Sequence, residues 1–210
     1  MKKNSKAAIV EAAITLFNIN GFNGTSTRDI ANKANVNVAN ISYHFQNKHG
    51  LLEYCFTTYY EAYLNEIENG FLYLHEGATL CLKKITENIL NYQSKNIHLT
   101  RFILREMSID SQVVREIMST YLLKERFYFK KVFEEGMARK EFRSFSINYM
   151  IIQLKGLLTM PFLNTHYITE VLHVFPYERY FTEKYVKEIY NWIDGVIRNE
   201  SSERVPTLVK

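Results

Sequence analysis

Apolar positions recur every three or four residues through most of this 210-residue chain. That spacing predicts helices. Ala8, Ile9, Ala12, Ala13, Leu16 and Phe17 line one face of a first helix over Ser5–Asn20. Gly21 caps its C-terminus, and Phe22 can fold back onto the apolar face. Thr25 or Ser26 caps a second helix, with Asp29 near the dipole-favoured first turn and Ile30, Ala31 and Ala34 facing inward. Asn35-Val36-Asn37 makes a turn, since Asn35 tolerates a left-handed backbone. Asn37 can cap a third helix over Val38–Phe45, too short to stand without packing of Val36, Ile41 and Phe45. A fourth helix spans Asn47–Asn69, and a break is expected over Gly70–Gly77. Further helices are predicted over Ala78–Lys95, His98–Met107, Ser111–Lys140, Ser144–Leu163 and Phe181–Asn199. Pro161 and Pro176 punctuate the region between the last two. Strand signals are weak, and three prolines and eight glycines are few breakers. The expected class is all-α, with a three-helix helix-turn-helix domain at 1–48, a helical dimerisation and regulatory domain at 49–200, and a flexible tail at 201–210.

Composition narrows the function. A chain 47% hydrophobic and 14% aromatic is no disordered tail. Its net charge of +4 is unevenly placed. Lys2, Lys3, Lys6, Arg28, Lys33 and Lys48 face only Glu11 and Asp29 in the first 48 residues, so the whole excess sits there. A polyanion would meet that end. Cys55 and Cys81 lack metal-ligand or disulfide spacing and read as buried thiols in a reducing compartment. Glu11 interrupts the first apolar run, which excludes a signal peptide. Asn148, Gln153 and Lys155 interrupt Ile147–Leu163, which excludes a membrane span there. A soluble, cytoplasmic, nucleoid-associated protein is expected, with no cofactor and no metal. Asp110, Asp194, His166 and His173 form no nucleophile, phosphate-loop or metal spacing, so no enzyme is expected.

Thr25–Lys48 reads as two short helices around a tight turn, the form that enters a DNA major groove. Val38, Ala39 and Asn40 make the leading edge of the third helix. Asn40 suits an adenine edge, and Val38 or Ala39 a thymine methyl. Ser42, Tyr43 and His44 follow and can reach phosphates, as can Lys48 at a helix N-terminus. Thr25, Thr27 and Arg28 lie where the second helix would cross the DNA backbone.

The pattern GF-x-GTST-R-DIA-x-x-A-x-V-x-x-x-x-I-x-YHF-x-x-K-x-x-LL resembles the DNA-binding domain of the TetR family of bacterial transcriptional regulators. The resemblance covers about residues 5–52. It implies an all-α homodimer on palindromic DNA, with a helical C-terminal domain that dimerises and often binds a ligand. This chain departs from the family pattern at Asn35, where a glycine is usual, and at Ser42, where an aromatic is usual. Residues 99–125 and 153–174 are similar to the RefZ-type branch of that family. That similarity implies a role in restraining assembly of the division protein FtsZ in sporulating bacilli.

The C-terminal domain admits three readings. A small effector would meet candidates among His98, Arg101, Arg105, Tyr121 and Phe127. A protein partner, FtsZ by the resemblance, would meet the mixed-charge set Arg101, Arg105, Arg115, Glu116, Lys124, Glu125 and Arg126. Dimerisation alone would use Ile151, Leu154, Leu157, Leu158, Ile189, Trp192, Ile193 and Val196 in a four-helix interface.

Overall fold

The computed structural model describes residues 5–109 and 111–199. Lys2, Lys3, Asp110 and the tail expected at 201–210 lie outside them. Among the described residues the chain is all-helical. The helices are α1 (Ser5–Asn20), α2 (Thr27–Ala34), α3 (Ala39–Phe45), α4 (Lys48–Phe71), α5 (Ala78–Lys95), α6 (Ile97–Ser108), α7 (Gln112–Ala138), α8 (Ile147–Leu163) and α9 (Arg179–Trp192). A 3₁₀ turn follows α4, and π-helical turns follow α8 and α9. The helix expected over Phe181–Asn199 therefore loses its α geometry at Trp192. The chain forms two compact units, Met1–Ala62 with Asn96–Tyr121, and Tyr63–Lys95 with Leu122–Lys210. The sequence boundary at residue 48 falls inside the first of these, at the start of α4.

In the first unit α1 packs on α2, α3 and α6. Ile9, Ala13, Phe17, Ile30, Ile41, Phe56 and Phe102 are fully buried there. Phe17 stacks on Phe102 of α6 at 4.9 Å. Gly21 takes a φ of 75°, a left-handed conformation that costs glycine little, and returns its amide to Phe17. The last carbonyls of α1 find a further partner. The Arg105 guanidinium on α6 donates to the Phe17 and Asn18 carbonyls, and Asn18 Nδ2 donates to the His98 carbonyl at 2.8 Å.

In the second unit α5 packs on α8 and α9. Gly70 meets Ile85 so closely that a Cβ there would stand 2.7 Å from the Ile85 backbone. Glu141, beyond the end of α7, caps α5. Its carboxylate accepts the amides of Ala78 and Thr79 at 3.0 and 2.9 Å. Pro161 is accommodated within α8, whose C-terminal end agrees with the apolar spacing. It lies buried in the last turn, and the helix runs on to Leu163. Buried Glu125 accepts the Tyr63 hydroxyl and the Lys155 ammonium, both at 2.6 Å, so its charge is matched.

Candidate nucleic-acid interface

Local capping defines α2 and α3. Ser26 Oγ accepts the Asp29 amide at 3.1 Å, and the Asp29 carboxylate accepts the Ser26 amide at 2.9 Å. This reciprocal box fixes the start of α2. Its hydrogen bonds from the Ser26 side chain and amide hold the Asp29 carboxyl below the usual carboxylate range. Asn35 ends α2 at φ 53°, ψ 50°, the left-handed conformation that the turn needs. Asn37 Oδ1 accepts the Ala39 amide at 2.9 Å, so α3 begins one residue later than expected. Ile41 and Phe45 are buried and anchor α3.

That anchoring leaves an opposite face in solvent. Val38 is 43% and Tyr43 84% exposed, and Ala39 and Ser42 are exposed beside them. Asn40 is half-buried at the edge of this face. Arg28 is exposed on α2, with Thr27 half-buried next to it. The face therefore carries small, amide, hydroxyl and cationic groups, the inventory that base edges and phosphates require.

Three sequence candidates are placed differently. Thr25 is 1% exposed, and its hydroxyl donates to the Gly21 carbonyl at 2.9 Å. Its side chain cannot reach DNA and instead locks the α1–α2 turn. His44 is half-buried, with Nε2 2.9 Å from Ser5 Oγ on α1. Lys48 points inward and donates from Nζ to the Phe22 and Thr25 carbonyls, both at 2.9 Å. A donor and acceptors 23 and 26 residues apart leave no local sequence signal.

The family model for bacterial regulatory proteins of the tetR family matches residues 9–55. The probable HTH-type transcriptional regulator YttP of Bacillus subtilis (strain 168) is 45% identical over 199 residues, covering 94% of this chain and 96% of that protein. The chain belongs to the TetR family. It is a DNA-binding transcriptional regulator. Solved structures share its fold, one of them a bacterial regulatory protein in the tetR family. A regulator from Rhodococcus RHA1 superposes with a TM-score of 0.74 at 18% identity, over 90% of this chain and 97% of that one. AibR, in complex with isovaleryl coenzyme A and operator DNA, gives 0.71 at 15% identity, over 90% and 97%.

Beyond the TetR-family reading head, the candidates of the later helices sort by burial. Arg105 is engaged with the α1 carbonyls and caps that helix. Arg101, Arg115 and Glu116 are exposed, Glu116 accepting the Gln112 side chain at 2.9 Å. His98 is exposed, and Phe127 is 53% exposed, so neither lines a closed cavity. Half-buried Tyr121 lies 5.8 Å from Tyr60. Lys124 and Arg126 are exposed, but Glu125 is buried and leaves the expected charged surface.

The expected dimer set needs correction. Leu154, Leu158, Ile189 and Ile193 are 0–1% exposed within the protomer. They fill its own core and cannot meet a second copy. Leu157, Trp192 and Ile151 are half-buried, and Val196 is 40% exposed. The open face of α8 is a different stripe, Tyr149, Ile152, Gly156, Met160 and Leu163, spaced three and four apart. Its spacing was readable in the sequence, but α8 is apolar on both faces, and periodicity alone does not say which turns inward. Cys55 and Cys81 are buried, and burial pushes both thiols up to about 12. Among the described residues no helix is long and apolar enough to cross a membrane, and no cluster could hold a metal.

Proposed function

We propose that this TetR-family regulator acts in the cytoplasm, on the nucleoid, as a homodimer reading a two-fold symmetric DNA site. The observation that carries the reading is the exposed α3 face opposite buried Ile41 and Phe45. Val38, Ala39 and Asn40 read base edges. Ser42 and Tyr43, with Thr27 and Arg28 from α2, hold phosphates, and His44 assists from its station beside Ser5. Two protomers join through the α8 stripe, with Val196 as a further exposed apolar residue, and set the half-sites about one helical turn apart. AibR's complex with operator DNA supports the DNA mode. Protection of a palindromic site from chemical cleavage tests it; binding that ignores sequence would refute it.

The downstream role follows the resemblance of residues 99–125 and 153–174, which points to chromosome-linked division control with FtsZ as protein partner. Exposed Arg101, Arg115 and Glu116 supply a mixed-charge surface for such a contact. AibR's isovaleryl coenzyme A favours the second reading, a ligand-responsive repressor of a metabolic or efflux operon. Mapping binding sites across the genome separates them. Sites scattered near the replication origin fit the first, and sites before one transporter or enzyme operon fit the second. Charge reversal at Arg115 or Glu116 that spares DNA affinity but abolishes action in cells supports the partner surface.

A further inference from the structure

The turn between α1 and α2 is gripped by charged side chains from two other helices. Lys48, the first residue of α4, spends two of its three ammonium protons on the Phe22 and Thr25 carbonyls. The same ammonium sits 4.4 Å over the Phe22 ring. The amide of Phe22 meets the opposite charge, the Glu106 carboxylate of α6. Thr25 directly precedes Ser26, the N-cap of α2. The position of the Thr25 carbonyl therefore sets where α2 begins. The Val36 amide bonds to the Ala31 carbonyl at 3.0 Å, which ties the start of the turn before α3 back to α2. A fixed Thr25 thus passes its placement along to the exposed α3 face.

We propose that Lys48 is a positioning residue for DNA reading and not a phosphate contact. It holds the α1–α2 turn to the first turn of α4 and so sets the pose of the α2–α3 pair before DNA arrives. The inference rests on the DNA-reading function proposed above, but it makes a claim about the DNA-free protein as well. A phosphate contact contributes to the salt dependence of binding, whereas an internal clamp does not. A clamp also changes local opening of the free protein, which a phosphate contact leaves alone.

The test uses the full-length protein and Lys48→Met, which keeps the stem over Phe22 and removes the charge. Affinity for the mapped site is measured from low to high salt, and amide hydrogen exchange is followed without DNA. The expected result is a loss of about tenfold in affinity at every salt concentration. The salt slope stays unchanged, and the amides of residues 23–27 exchange faster. A slope lowered by about 0.9, with exchange unchanged, overturns the proposal. If Lys48→Met fails to fold, Lys48→Gln, whose amide can reach one carbonyl, is read by the same two measurements. If the wild-type protein binds no DNA, the function proposed above fails, and the exchange measurement alone decides the clamp.

Discussion

The Tyr185 hydroxyl donates at 2.8 Å to the Leu157 carbonyl, the group that Pro161 leaves without its helical partner. Proline has no amide proton, so the carbonyl four residues before it in α8 loses its usual donor. A phenol from α9 replaces that donor, and the proline becomes tolerable inside a buried helix turn. Tyr185→Phe should destabilise the protein by about 1–3 kcal/mol, because it strands that carbonyl. Thermal or denaturant unfolding of the variant checks the loss. Pairing Tyr185→Phe with Pro161→Ala should recover much of it, since an alanine at that position restores the helical amide.

Glu141 gives a pH signature. Its partial burial works to raise the carboxyl pKa, but hydrogen bonds from Thr79 and Ala78, with Arg139 nearby, hold it below the usual range. A depressed folded value means that the stabilisation is complete above the unfolded value of about 4.3. It is lost as pH falls through the lower folded value. Glu141→Gln should therefore narrow the stability difference from wild type as the solution is acidified below about pH 4. A difference constant from about pH 7 to about pH 3 would show that the cap carries no charge effect.

The two faces of α8 should respond differently to substitution. Ile152→Glu places a charge in the exposed stripe, and should yield a folded monomer by light scattering with weakened DNA binding. Leu154→Ala removes a fully buried side chain, and should cost about 2–5 kcal/mol of stability without first dissociating the dimer. Dissociation by the Leu154 change and not by the Ile152 change would return the interface to the opposite face.

On the DNA side, Arg28→Ala should weaken binding to all sequences and lower the salt slope by about 0.9. Substitution of Asn40 should shift which bases are preferred at one half-site position, with little change in slope. Selection from a randomised operator library reads both effects at once.

Much of the fold was legible because it rests on local chemistry. The Gly21 cap, the left-handed Asn35, the acidic first turn at Asp29 and the break after α4 all follow from residues within a few positions of one another. The limits of α1 and α5 agree with those read from periodicity. What makes Pro161 tolerable was not legible, because its remedy, Tyr185, lies 24 positions further along the chain. Leu154 and Ile189 misled because apolar spacing marks a face without saying what covers it. Thr25 looked like a contact because its polar type suits one, and only its buried placement shows otherwise. Lys48 shows the same limit, since its partners lie on the far side of two helices.

The grip of Arg105 on the end of α1 has a consequence for how this protein comes into being. As the chain leaves the ribosome, α1, α2 and α3 emerge first, but the guanidinium that closes α1 follows 87 residues after Asn18. The reading head is thus finished only after α6 has been made. A fragment ending after α4 would emerge with the carbonyls of Phe17 and Asn18 open to water and Phe17 without its stacking ring. The segment that looks most portable in the sequence is completed by residues that a cut at its apparent boundary would discard.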